Sequence, residues 1–563
     1  MAVRRQQDSS GATELTVKTL PLFQASVIAL SFVGLVAADD DDRRGDRNQP
    51  IPLTVPKAKC GPNDHPETAL QGQVTAAMRA AGFKGFNCNL ELVGQVRGDG
   101  ANWQTTQFKQ RIRGQSRHDD DDDGEDDGNR TRVCGFHGTA SAARSRAGRI
   151  NFGVRVLDLT DLRNPTITTY LNSVSMHDPW ESLKTNQRRR VLGADNARNG
   201  AGGPEIDIYD LSADCRTPQI LASVAVGTGT DGSNVQAAIV GHEGNWAPDG
   251  LTYYVGNRAA QNAYAAVDTT DLTKPKLIVN WTTGFQGRPV VHGMSISDDG
   301  NRGYFVTMGG LNPTAIADLT DPSKPAANGL LIYDLSEIQA RSPNPKPRLV
   351  SQLLWKDGSA AQHTINVRIH GKPYVVFVDE GGSGGVNSDA QRNGACAAGL
   401  PPFPMARIID ISDETKPKIV SRLALEVHNP ANCSQVLPEL TGLSVFTYGS
   451  HYCSVDNRHH ATTLACGYFN SGIRVFDIRD PVRPKEIAYF NPAGTVTPSP
   501  GSNHVSFGQW RAGGPDWCNA QVHLDATRGA LWTTCQDNGV LVLKFREGVW
   551  PFPESSTPPG LQN

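Results

Sequence analysis

Residues Gly472 to Pro484 read G-I-R-V-F-D-I-R-D-P-V-R-P. Ile473, Val475 and Ile478 are apolar and Gly472 ahead of them is a turn residue, so the first half reads as a strand. Asp480-Pro481 breaks it, Pro484 fixes the backbone of the turn, and Ile487 to Phe490 open a second extended run. The unit is therefore strand, Asp/Pro turn, strand. Copies stand at Val154 to Asp158 with Asp161 and Pro165, Ile206 to Asp210 with Pro218, and Tyr264 to Asp268 with Asp271 and Pro275. Two more are Leu330 to Asp334, with a longer turn ending at Pro347, and Ala406 to Asp410 with Asp413 and Pro417. A seventh, Val540 to Lys544, lacks both the aspartate and the turn. The copies recur about 50 to about 75 residues apart, longer than the roughly 40 to 50 of a common propeller blade, which assigns the excess to loops.

Units of this kind bury their faces only against their neighbours, and an open array would leave raw edges, so closure into a ring is favoured. The alternation apolar-x-apolar-x-Asp followed by Asp and Pro resembles the LVIVD repeat, which is associated with β-propellers. The resemblance extends from about Cys88 to Phe545 and speaks to fold, since one propeller architecture serves many activities. The seventh copy stops at Phe545 without an outer strand. Leu90 to Val96 (LELVGQV) resembles the outer runs Ile419 to Leu425 and Ile220 to Val226. The expected fold is all-β, a seven-bladed β-propeller over residues 88–549 whose last blade is completed by the N-terminal strand.

The 563 residues carry a formal charge of −3 and no basic stripe with interleaved aromatics, which argues against a nucleic-acid partner. Arg4, Arg5 and Lys18 precede an apolar stretch from Leu20 that ends Val36-Ala37-Ala38, so residues 1–38 are read as a signal peptide. A retained membrane anchor is the competing reading; cleavage after Ala38 would leave no stable span and a secreted or periplasmic protein. Residues 39–87 are expected to form a flexible tether with one short helix between Glu67 and Ala81. Residues 550–563 read as a disordered tail. The acidic insertion 117–130 offers Asp119, Asp121 and Asp123 as weak calcium ligands, but Arg130 stands where an EF-hand loop needs glutamate, and a solvated loop is the favoured reading. No nucleophile elbow or phosphate-cradling glycine loop is present.

Ten cysteines suit an oxidising compartment. Cys453 with Cys466 and Cys518 with Cys535 each flank a hairpin, and Cys88 with Cys134 would tie the N-terminal strand to the first blade. Cys60, Cys215, Cys396 and Cys433 are left without assigned partners, and the absence of a CxxC pair argues against a zinc ribbon.

His242, His292, His363 and His451 each stand at a near-constant distance before the next strand of four consecutive units. First strands of propeller blades line the central channel, so these imidazoles could converge near one mouth. Neutral imidazole ligates zinc, copper and iron. Glu243 and Glu181 are expected as partners behind the ligands, and His177 and His523 as additional candidates in blades two and seven. A histidine at a strand start also serves simply to bond a neighbouring backbone. The leading reading is binding of a small-molecule ligand or protein partner at a histidine-lined channel mouth. The alternatives are a metal-dependent oxidoreductase with a four-histidine centre, by analogy of fold alone with other histidine-centred propeller metalloenzymes, and a structural envelope protein.

Overall fold

The repeat's aspartates fold its turns. Each takes the backbone N–H two residues on: Thr160 donates to Asp158, Ser212 to Asp210, Thr270 to Asp268, Ser336 to Asp334, Ser412 to Asp410 and Arg479 to Asp477. Such a side-chain turn ends the strand because the carboxylate satisfies an amide the ladder no longer pairs. The second aspartate repeats the device, with Arg163 N–H on Asp161, Thr415 N–H on Asp413 and Val482 N–H on Asp480. Proline then enters just before the outer strand, as at Pro165, Pro275, Pro417 and Pro484. An edge strand tolerates it because the missing N–H would face no partner.

The computed structural model describes residues 51–553 except 99–102, 113–129, 140–152, 198–203, 227–238, 240, 258–262, 284–290, 309–318, 322, 325, 387, 442 and 500–501. The candidate export signal, the acidic tract with its calcium ligands and residues 554–563 lie outside the described residues.

The chain forms a seven-bladed β-propeller. In blade one Thr105–Ile112, Arg130–Gly138, Val154–Asp158 and Thr166–Leu171 run antiparallel from inside to outside. The inner strands of the next five blades are Lys184–Asn186, Gly241–Trp246, Met294–Ile296, Ser359–Ile369 and Cys453–Val455. Blade seven holds His523–Asp525, Ala530–Cys535 and Gly539–Phe545, and Leu90–Val96 completes it, with Leu90 opposite Phe545 and Val96 opposite Val540. The closing strand carries a bulge between Leu92 and Gly94 that matches the bulge in the outer ladders of blades one to six. Bulges twist an edge strand away from further pairing. Third strands such as Val154–Asp158 are buried on both faces until the aspartate. Each large apolar side chain so buried contributes about 1.5–3 kcal/mol.

Two expectations are corrected. Residues 51–87 are not a loose tether in their described part: Val55 N–H bonds Ala424 O at 2.9 Å, and Glu67 pairs with the buried Arg474, which also holds Glu486 at 3.1 Å. Phe86–Cys88 adds a fifth strand to blade six, and the helix shrinks to Ala76–Ala80, capped by Thr75. The cysteine pairing also differs. Cys88 bonds Cys60 and Cys134 bonds Cys215, because Cys88 lies on the blade-six side of the seam, opposite Tyr489, whereas Cys134 sits in blade one facing blade two. Cys396–Cys433 joins two insertion helices, and Cys453–Cys466 and Cys518–Cys535 form as expected. Among the described residues no helix is long and apolar enough to cross a membrane.

Candidate metal centre at the propeller axis

The ladders fix which inner-strand residues share a level. Gly244, Met294, Thr364 and Cys453 stand opposite Val255, Phe305, Phe377 and Cys466, each three residues beyond the second-strand partner of the repeat aspartate. Two residues earlier lie His242, His292, Gln362 and His451. Extending the blade-two ladder by one residue puts Glu181 at the same level, and blade one contributes Trp103. A one-residue step along a strand reverses the side-chain face, so His363 leaves this ring and Gln362 replaces it.

Contacts agree with the register. His242 Nε2 lies 3.1 Å and His292 Nε2 2.8 Å from Glu181 Oε2, and His451 Nε2 lies 3.4 Å from Glu181 Oε1. One ligand atom from each of Glu181, His242 and His292 falls within 4.8 Å of the others. Gln362 Nε2 reaches His451 Nε2 at 3.1 Å, and Glu380, at the end of the second strand of blade five, is 3.3 Å from the same nitrogen. His292 Nδ1 bonds Glu243 Oε2 at 3.0 Å, while His451 Nδ1 bonds Asn519 O at 2.8 Å. A partner on Nδ1 fixes the ring and leaves Nε2 for a ligand, the usual support of a metal-bound histidine. Glu243 thus stands on the Nδ1 side of His292, whereas Glu181 lies at the centre of the cluster and not behind it.

The next level contains Glu243, Gly293, His363 and Tyr452. Tyr452 OH donates to Glu243 Oε2 at 3.0 Å, and its ring stacks on His363 at 4.7 Å. Gly293 is required here, since a Cβ would fall 2.4 Å from Glu243 Oε2 and 2.6 Å from His363 Cβ. His363 Nε2 accepts the Cys453 N–H at 3.4 Å, so it serves this layer. His523 bonds Thr105 Oγ1 and stacks on Trp532, and His177 sits in the one-turn helix Ser175–His177; neither belongs to the Glu181 group.

Electrostatics bind the cluster. Burial opposes ionisation of Glu181, but the imidazoles, His292 foremost, hold its carboxyl well below the usual range. Against the opposing effect of burial, Glu181 pushes His292 up to about 10, and Glu181 with Glu380 pushes His451 up to about 9. Burial first, and then Lys184 and His451, drive His363 well down, leaving it neutral. On one side Trp103, Trp180, Phe446, Phe469, Phe507 and Trp517 pack into an aromatic wall against His451 and His242. On the other an axial cavity of about 560 Å³ opens, with Glu243, Lys184 and His363 at its boundary.

A second group, His504, Asp516 and Asp537, is a structural clamp: Asp516 accepts the N–H groups of Trp517, Asp537 and Asn538, and His504 donates to Asp537. The donor set around Glu181, three imidazoles and a carboxylate, is instead one that suits a divalent first-row ion.

Fold and site define a β-propeller with a histidine–carboxylate cluster on its axis. No family model matches the chain, and no curated protein matches it. Among solved structures it is similar to a candidate 6-phosphogluconolactonase of Bacteroides uniformis, at 10% identity and a TM-score of 0.46, covering 76% of this chain and 96% of that one. It is also similar to hydrazine synthase of Kuenenia stuttgartiensis, at 14% identity and a TM-score of 0.41, over 74% and 93% of the two chains. The periplasmic gluconolactonase of Pseudomonas aeruginosa is similar at 12% identity and a TM-score of 0.41, over 71% and 92%.

Proposed function

We propose that the protein is a metal-binding β-propeller, with Glu181, His242, His292 and His451 holding a zinc, copper or iron ion that in turn takes part in ligand binding at the channel. The observation that carries this reading is the convergence of three Nε2 atoms from blades three, four and six on one buried carboxylate, with two Nδ1 atoms tied off to Glu243 and Asn519 O. Burying so many ionisable groups is costly unless they are paired or coordinate an ion. The five disulfides support export, and the repeat resemblance supports membership among LVIVD-type propellers. An ordered cavity beside the cluster favours this reading over a purely structural envelope protein.

A metal-dependent oxidoreductase is the second reading, favoured by the partial exposure of His242 (14%) and Glu380 (12%), which leaves the centre approachable. Elemental analysis of protein stripped with chelator and reloaded tests both. One ion per chain is expected, lost in Glu181→Gln and His292→Ala and retained in His363→Ala. Retention of the ion by Glu181→Gln, or its loss only in His363→Ala, removes the proposed centre. Zinc as the sole ion retained rejects the redox reading.

A further inference from the structure

The axial cavity has its own chemistry, one level away from the Glu181 cluster. Every blade lines it, and neutral hydrogen-bonding groups such as Thr106, Asn245, Ser295 and Gln521 dominate. Its charged lining is unbalanced. Lys184, Arg188 and Arg458 are cations, the last paired with Asp298 just outside the lining, and Glu243 is the only carboxylate among the lining residues. Glu243 Oε2 is already engaged by His292 Nδ1 and Tyr452 OH.

Two donors at the inner end are incompletely paired: one has a single long ion pair and the other has no hydrogen-bond partner among the described residues. The Lys184 ammonium lies 3.9 Å from Glu243 Oε1, beyond hydrogen-bond reach, on a side chain only 14% exposed. His363 is 3% exposed, and because its Nε2 accepts from Cys453 N–H, the proton of the neutral ring resides on Nδ1. That Nδ1–H has no hydrogen-bond partner among the described residues. A buried donor without an acceptor is costly, and a single ion pair at 3.9 Å leaves an ammonium room for a second anionic partner. Both are answered by one group: an anionic oxygen entering from the cavity.

We propose that the axial cavity is a binding site for a small hydroxylated carboxylate, whose carboxylate accepts from Lys184 Nζ and His363 Nδ1 while its hydroxyls meet the neutral lining. Lys184 supplies charge and His363 direction. Thr106 and Ser295, whose protons go to Thr185 and Thr364, keep lone pairs that accept from alcohols, and Gln521 adds an amide. The cavity opens toward the turns after the inner strands, where Gln187, Arg188 and Pro248 line it, so the ligand enters opposite the aromatic wall.

The test is calorimetric titration of metal-stripped protein with tartrate and with threitol, its neutral counterpart. Tartrate is expected to bind one to one and threitol not at all. Lys184→Gln should weaken tartrate about tenfold or more, Lys184→Arg should restore most of the loss, and His363→Phe, which keeps the stack on Tyr452, should weaken it several-fold. Melting curves establish that each variant is folded. Equal binding of threitol, unchanged binding in folded Lys184→Gln, or no tartrate binding at tens of millimolar overturns the proposal. Because the ion is removed beforehand, none of these outcomes depends on whether the Glu181 cluster is a metal centre. Tartrate binding that emerges only on adding zinc also overturns it, since the anion is then held by the ion.

Discussion

His428 shows how one buried side chain sets a pH limit. Its Nδ1 accepts the Leu425 N–H at 2.9 Å, the shorter of its two contacts there, and its Nε2 donates to Pro404 O at 2.8 Å, a pattern that suits the neutral ring. Burial pushes its pKa down to about 4 from the ordinary 6.5, against the opposing pull of the Pro404 carbonyl. Between those values the unfolded chain binds the proton and the folded chain does not, so stability falls as pH drops from 6.5 and levels off below about 4. The shift corresponds to about 3 kcal/mol over that window. Denaturant titrations of the parent and His428→Gln at pH 7 and pH 4.5 should show a smaller acid loss in the variant; equal losses would refute the assignment. At the axis, histidines in four consecutive units were legible in the sequence, and three of the four converge. His363 shares the sequence spacing of the other three without sharing their level, because the turn between first and second strands varies in length by a residue or two. The strand pairing, followed across from the repeat aspartate, selects Gln362. The same pairing turns Glu181 from a supporting residue into the centre. Glu380 left no sequence signal, because it arrives from the second strand of its blade and not from the first.

At the level of elements, the seam between blades seven and one depends on Leu90–Val96. Gly94 in that strand passes so close to blade one that a Cβ would lie 2.1 Å from Leu162 O and 3.0 Å from Pro165 Cδ. Both neighbours belong to the Asp/Pro turn, held by the Asp161 side chain, so neither gives way easily. Gly94→Ala should cost about 1–3 kcal/mol, as overpacking at a rigid contact does. Leu92→Ala, at an exposed position of the same strand, should cost under about 0.5 kcal/mol. Limited proteolysis reads the difference: cleavage within residues 51–98 should accelerate in Gly94→Ala alone, and equal rates would mean the strand does not carry closure. This strand was visible in advance because its pattern repeats those of the outer strands, as were the Asp/Pro units that end each third strand. Phe86–Cys88 and the Cys60–Cys88 bond were not, since three residues have too little periodicity to read and a disulfide reflects which distant segments meet in space.

Across the whole molecule, blades pack mainly on their neighbours, and the axis is where distant blades touch: Glu181 before blade two reaches His451 of blade six, and Tyr452 of blade six reaches Glu243 of blade three. An ion held by Glu181, His242, His292 and His451 would cross-link four blades that otherwise communicate around the ring. The unfolded chain has no such convergence, so binding should stabilise the folded state by mass action, by about 4 kcal/mol when free metal is a thousandfold above its dissociation constant. For a chain of this length that amounts to a rise of several degrees in melting temperature, since the shift per kcal/mol shrinks as proteins grow. Zinc added to stripped protein should therefore raise the melting temperature of the parent and of His363→Ala alike, and leave Glu181→Gln and His292→Ala where they started. An ion that binds the parent stoichiometrically without moving its melting temperature would place the metal on the surface, where it joins no blades.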